Sequence, residues 1–203
     1  KIGFIGPMTG DNANYGVLSN NSAMLAVEQF NAKGGIDGKI PVVLVTEDSE
    51  GVPEKGLAAI EKLSSSDKIV GLVGPVFTGV SFAVGERVQN EGIVMISPSA
   101  THADITNIGD YVFRTVVSDG LQGEVAGTYF ANVLGYKSIG VLYAKNDYSQ
   151  GLFEGMSASF VANGGKVTIS ESFNVGDKDF KTQLTKIRSA NPQASYITNY
   201  TAE

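Results

Sequence analysis

Short apolar runs alternate with longer amphipathic stretches along the whole chain. The runs predict strands at 2–5, 41–46, 69–73, 93–96, 111–115, 138–143, 166–172 and 194–198, each bounded by turn residues. The stretches between them predict helices at 16–32, 53–64, 80–90, 121–134, 149–163 and 179–190. In the first helix Ala23, Val27 and Phe30 recur three to four residues apart and predict one buried face. Strand–helix alternation of this kind is the pattern of an α/β architecture with largely parallel sheets. A strand covered on both faces reads as a continuous apolar run, as Ile69-Val-Gly-Leu-Val-Gly74 does.

An internal echo divides the chain. The first helix ends Phe30-Asn-Ala-Lys-Gly34-Gly35 and a later one ends Phe160-Val-Ala-Asn-Gly164-Gly165. Both read F-x-A-x-G-G, with glycine where a helix end takes the left-handed conformation. Helix ends often look alike, but here the surrounding order repeats as well. Residues 1–76 run strand, helix, strand, helix, strand, and residues 138–200 run through the same elements again. Two similar lobes are therefore expected, 1–117 and 118–203, joined through the segment 116–127. The first lobe continues past Val73 with a further helix and strand, whereas the second stops after its third strand. A central parallel strand ending there would leave backbone groups unpaired. The chain is accordingly expected to be a fragment, or to be completed by another segment or chain.

Composition narrows the function classes. The chain has 203 residues, 42% of them hydrophobic, enough to build a core without metal or disulfide. The formal charge is −6, and no Lys/Arg-rich stripe appears, so nucleic acid is not an expected partner. No run approaches the ~20 apolar residues of a membrane span. No signal peptide is visible, which fits a cytosolic protein or a mature secreted one. Cysteine is absent, which removes disulfides and thiolate nucleophiles and fits either compartment.

Candidate chemistry collects at the carboxyl ends of the strands, where open α/β sheets bind ligands. Gly6-Pro-Met-Thr-Gly10 and Tyr15 follow the first strand, Phe77 and Thr78 the third, and Ser99, Ala100 and Thr101 the fourth. Tyr148 and Tyr200 follow strands of the second lobe. Thr78 and Thr101 each precede a predicted helix, where a hydroxyl caps free amides and the amides attract an anion. Plain capping is the simpler reading of either threonine; two caps ending neighbouring strands point to a small-anion site. The tyrosines offer apolar walls with polar tips, the usual lining of a small-ligand pocket. Enzyme signatures are missing. There is no G-x-S-x-G elbow, no phosphate loop and no G-x-G-x-x-G. The sole histidine, His102, with Asp104 close behind, leaves a hydrolase as a minor reading. Glu47, Asp48 and Glu50 lack the spacing of a calcium loop. No cofactor and no metal are expected.

The stretches IGFIGPMTG, NAKGGIDGK, EGIVMISPSAT, FRTVVSDGLQG and YAKNDYSQGL carry a resemblance spanning essentially the whole chain. It resembles the amino-terminal portion of a type I periplasmic solute-binding protein of the leucine/isoleucine/valine-binding family. The resemblance implies a two-lobed α/β fold with parallel sheets, in which the rest of the second lobe and the segment returning to the first lie beyond residue 203. It implies a non-catalytic protein that captures a small amino acid, branched-chain or otherwise aliphatic, in an interlobe cleft. The protein would hand its ligand to the membrane permease subunits of an ABC importer. A periplasmic or extracellular location follows, a cell-surface lipoprotein included. The alternative is a ligand-sensing regulator of the same fold, binding an amide or other small solute.

Residue by residue, the resemblance implies that Thr78 holds the ligand carboxylate and Thr101 touches both carboxylate and ammonium. Ser99 would offer its backbone carbonyl to the ammonium and Ala100 an amide. Tyr15, Tyr148 and Tyr200 would line the cleft, and Asp119, in the first crossing between lobes, would act as a hinge or secondary contact. The acidic partner of the ammonium lies beyond Glu203. Phe77 occupies a position where some members carry a disulfide cysteine, and it would reshape the side-chain pocket.

Overall fold

The structure, a computed structural model, describes residues 1–200 and forms two compact units, Lys1–Val116 and Val117–Glu203. The first unit contains β1 (Ile2–Gly6), α1 (Ala13–Ala32), β2 (Leu44–Asp48), α2 (Pro53–Ser65), β3 (Gly71–Val73), α3 (Thr78–Glu91) and β4 (Val94–Ser97). A 3-10 turn (Ala103–Asn107) and β5 (Val112–Arg114) complete it. Its five strands are all parallel in the order β2-β1-β3-β4-β5. The second unit contains α4 (Asp119–Thr128), which runs on as a π-helical turn (Tyr129–Val133), then β6 (Ser138–Ala144), α5 (Asp147–Ala162), β7 (Lys166–Phe173), α6 (Lys181–Ser189) and β8 (Ala194–Thr198). Its strands are parallel in the order β7-β6-β8. The order β2-β1-β3 in the first unit matches β7-β6-β8 in the second, so the sequence echo is an echo of topology.

The glycine pair that revealed the repeat works the same way twice. Gly35 N–H donates to Phe30 O at 3.1 Å, and Gly165 N–H donates to Phe160 O at 2.9 Å. Each bond spans five residues and closes the helix before the next strand begins.

Period two places β6 at the centre of the second unit. Ile139 and Val141 pack on one face with Met156 and Phe160 of α5. Leu142 and Ala144 pack on the other with Phe173 and Ile187. Successive side chains of a strand point to opposite faces, so a run of apolar residues is what a doubly covered strand requires. Each of these side chains larger than alanine contributes about 1.5–3 kcal/mol on full burial. In the first unit Phe4, Ile5, Leu72 and Met95 of the sheet are buried, as are Ile60 and Leu63 of α2 and Val84 and Val88 of α3.

Two expectations change. The buried face of α1 is not at Ala23, Val27 and Phe30: Gly16 and Asn20 are its buried residues, and Phe30 is 45% exposed. α1 seats through small and polar groups instead. A Cβ at Gly16 would fall 2.1 Å from Pro7 O, and Thr46 Oγ1 donates to Asn20 Oδ1 at 2.7 Å. Ala23, Val27 and Phe30 face an open groove that Ile2, Leu44, Val73 and Pro98 also line. The second strand starts at Leu44 rather than 41, because the Asn31 amide takes both backbone groups of Val42 at 2.8 Å. The connecting segment 116–127 is mostly helix: α4 lies along α5 so closely that a Cβ at Gly123 would fall 2.4 Å from Met156 N.

Candidate functional site

Two turns of the first unit are stitched into one surface. The loop from β3 to α3 runs Gly74 to Phe77, and the turn after β4 runs Pro98 to Thr101. Gly74 N–H donates to Ile96 O at 2.9 Å. Ser97, fully buried, donates its hydroxyl to Pro75 O at 2.6 Å and accepts Ala100 N–H at 3.0 Å. Ser99 Oγ donates to Val76 O at 2.6 Å, and Ser81 Oγ donates to Pro75 O at 3.2 Å. Three serine hydroxyls thus fix Phe77 and Thr78 beside Ser99, Ala100 and Thr101.

The capping roles differ from those expected. Thr78 is the first residue of α3; the N-cap is Phe77, which has no side-chain acceptor. The first α3 ladder bond is Ser81 N–H to Phe77 O at 2.9 Å, which leaves the amides ahead of it outside the ladder. The cap of the 3-10 turn is His102, not Thr101: its Nδ1 accepts Asp104 N–H at 3.2 Å. His102 also packs edge-on against Phe82, ring centroids 5.0 Å apart, which gives the lone histidine a structural role in the turn. Arg114 Nη1 donates to His102 O at 2.5 Å and holds the exit of the turn.

Relieved of capping, Thr101 Oγ1 is buried with no hydrogen-bond partner among the described residues. Ala100 is buried and its amide is committed to Ser97, so the turn itself uses the amide that was expected to face a ligand. Thr78 is also buried. Tyr15 stands edge-on to Phe77, ring centroids 5.5 Å apart at 68°. The first unit therefore assembles an uncapped helix N-terminus, an unpartnered hydroxyl and an aromatic pair. Such an arrangement is suited to a carboxylate with an apolar neighbour.

The second unit gathers its own residues at the amino end of α5. Asn146 caps that helix, its Oδ1 accepting Ser149 N–H at 2.8 Å, and Tyr148 lies in the first turn. Thr198 Oγ1 donates to Ser149 O at 2.9 Å and ties the end of β8 to the helix. Tyr200, two residues on, stacks on Tyr148 with ring centroids 4.9 Å apart at 24°. Asp119 is buried in the first turn of α4, behind the Ser118 cap. The Tyr196 phenol is pushed up to about 12 by burial first, then by the negative potential of Tyr148 and Asp119. Four groups named Tyr148, Tyr196, Tyr200 and Asp119 thus share one neighbourhood.

Sequence reasoning had no access to Ser97, Arg114, Thr198 or Tyr196. Ser97 stood in the quoted turn, but only the fold shows that it is the stitch. Among the described residues no group of three or more His, Cys, Asp or Glu side chains is placed to hold a metal ion. No helix among them is long and apolar enough to cross a membrane.

A five-stranded parallel sheet with two linked turns at its carboxyl edge, followed by a three-stranded parallel sheet that repeats the order β2-β1-β3, defines a class. The family model described as periplasmic binding protein matches residues 1–203, and the chain belongs to that family. Among curated relatives, the Leu/Ile/Val-binding protein BraC3 of Rhizobium johnstonii is 36% identical over 203 residues, covering 100% of this chain and 55% of that protein. Among solved structures, the branched-chain amino acid transporter substrate binding protein LivJ of Streptococcus pneumoniae, in complex with isoleucine, superposes with TM-score 0.87 at 32% identity. It covers 98% of this chain and 56% of that one. A solute binding protein from R. palustris in complex with benzoate superposes with TM-score 0.88 at 27% identity, covering 98% and 54%. The chain spans about half the length of the curated relatives it matches.

Proposed function

We propose that the protein is an extracytoplasmic binding protein for a small aliphatic amino acid and serves the membrane permease subunits of an ABC importer. The observation that carries this reading is the buried Thr101 hydroxyl, unpartnered among the described residues, on a turn welded to the uncapped N-terminus of α3. A buried hydroxyl without a partner forfeits about 1–3 kcal/mol, which a ligand carboxylate or ammonium would return. Thr78 and the α3 amides would take the carboxylate, and Ser99 O the ammonium. Tyr15 and Phe77 would flank the side chain. On the second unit the Tyr148–Tyr200 stack, with Asp119 near it, is the surface that would meet a ligand. The names of the relatives, Leu/Ile/Val-binding and isoleucine-bound, support the choice of ligand class.

Calorimetry on the full-length protein with leucine, isoleucine, valine and alanine tests the reading. Micromolar or tighter binding of at least one is expected. Thr101→Val sharpens the test, because it exchanges an unpartnered buried hydroxyl for a methyl. Stability without ligand should hold or rise, while affinity falls about tenfold or more, the worth of one lost hydrogen bond to a charged group. Failure to bind any of the four amino acids overturns the reading.

The aromatic pair favours one second reading, an aromatic carboxylate. Phe77 and Tyr15 present ring edges and faces that a phenyl group would suit, and one solved relative holds benzoate. Benzoate in the same titration separates the two: it carries a carboxylate but no ammonium.

A further inference from the structure

One carboxylate outside the threonine turns binds two loops together. Asp48 closes β2, and its Oδ1 accepts the amides of Met8 at 2.8 Å and Glu50 at 2.7 Å. Its Oδ2 accepts the Thr9 hydroxyl at 2.5 Å. Met8 and Thr9 belong to the β1–α1 loop, Glu50 to the β2–α2 loop. The neighbouring acids are ion-paired, Glu47 with Lys62 and Glu50 with Lys55, whereas among the described residues Asp48 has no such cation. Its charge is met by loop donors instead, and hydrogen bonds to an ionised acceptor are about twice as strong as neutral ones.

Each of the two loops then seats one ring of the aromatic pair. α1 rests on the first loop at Gly16, where a Cβ would meet Pro7 O, and Tyr15 is the adjacent residue. In the second loop Gly51, at φ +76°, lies against Phe77: a Cβ there would sit 3.0 Å from two ring carbons and 4.0 Å from Pro7 Cβ. That φ favours glycine, and a Cβ there would require the Phe77 ring to give by a few tenths of an ångström. Ser49 N–H, donating to Gly6 O at 2.9 Å, closes the arrangement from below. The edge-on geometry of Tyr15 and Phe77 is therefore fixed by two loops that meet at Asp48.

We propose that Asp48 is a positioning residue for the ligand site, locking the β1–α1 loop to the β2–α2 loop so that Tyr15 stays edge-on to Phe77. The proposal rests on the reading that Tyr15 and Phe77 face a ligand. A residue acting this way governs affinity through Tyr15, not through contact of its own.

The test uses the full-length protein, titrated with leucine as Asp48→Ala and Asp48→Asn, each alone and combined with Tyr15→Ala. Amide hydrogen exchange at Met8 and Glu50 is followed without ligand. Asp48→Ala should weaken leucine about fivefold to twentyfold, and the loss should shrink below about twofold once Tyr15 is alanine, because coupled residues are non-additive. Asp48→Asn should restore most of the affinity, since its carbonyl oxygen still accepts both amides. Exchange at Met8 and Glu50 should quicken in the alanine variant only. An undiminished affinity in Asp48→Ala, or an equal loss in both backgrounds, overturns the positioning role. If the unmodified protein binds no amino acid, the proposed function fails by itself; unchanged exchange then overturns the clamp, and quickened exchange upholds it. Should Asp48→Ala not fold, Thr9→Val removes a single bond and is read in the same two backgrounds.

Discussion

Ser97→Ala is the substitution most directly set by the geometry of the two threonine turns. The hydroxyl is fully buried, donates to Pro75 O at 2.6 Å and accepts Ala100 N–H at 3.0 Å. Alanine leaves both groups in place without it. Ala100 N–H then loses its acceptor inside the protein, a loss of about 1–3 kcal/mol. Pro75 O keeps the Ser81 hydroxyl at 3.2 Å, so its loss is smaller, about 0.5–1 kcal/mol. The change in volume is slight, and no cavity term of consequence is added. Together they destabilise by about 1.5–4 kcal/mol, read as a lower urea midpoint at unchanged slope. The same substitution leaves the turn after β4 held to the loop before α3 by the Ser99 bond to Val76 O without the Ser97 one, so the affinity for leucine should fall with it. Ser81→Ala, which removes only the longer bond to Pro75, is the milder control. A midpoint within about 0.5 kcal/mol of the parent, together with unchanged affinity, would refute the view that Ser97 holds the site together.

Two further outcomes follow from packing and ionisation. Gly123→Ala places a Cβ 2.4 Å from Met156 N and 2.5 Å from Gly155 C; backbone cannot yield as a side chain can, so α4 and α5 must part, at about 1–3 kcal/mol. Gly120→Ala, whose Cβ meets only Ser118 Oγ at 3.7 Å, should instead stabilise by up to about 1 kcal/mol through helix propensity, and thermal unfolding of the pair distinguishes them. For Tyr196, a folded value of about 12 lies above the ordinary phenol value of 10.0, so the neutral phenol is the favoured form in the fold. Its contribution is full below pH 10 and is lost as pH rises through about 12. Tyr196→Phe removes that component, and a stability difference between the two proteins that stays flat over the window contradicts the assignment.

What the sequence determined by itself is what local periodicity and turn chemistry encode. Alternating apolar runs and amphipathic stretches specified eight strands, six helices and a parallel α/β class. The two F-x-A-x-G-G ends specified the repeat, because a glycine closing a helix is a backbone requirement met by a few neighbouring residues. The position of the threonine turns and the tyrosines near strand ends was also legible, since the apolar runs stop just before them. Only the tertiary structure decided what those residues do. Phe30 and Phe160 close equivalent helices with the same hydrogen bond, yet one is half exposed and the other fully buried. Their surroundings, not their motif, made that difference. Thr78 and Thr101 proved not to be caps: one residue of shift puts Phe77, which offers no acceptor, at the N-cap position of α3 and gives the cap of the 3-10 turn to His102. Ser97 and Asp48 became the organising groups because their farthest partners lie 22 and 40 residues away. Burial and long-range hydrogen bonding depend on which segments meet in space, and that information is spread over the whole chain rather than written at any one position.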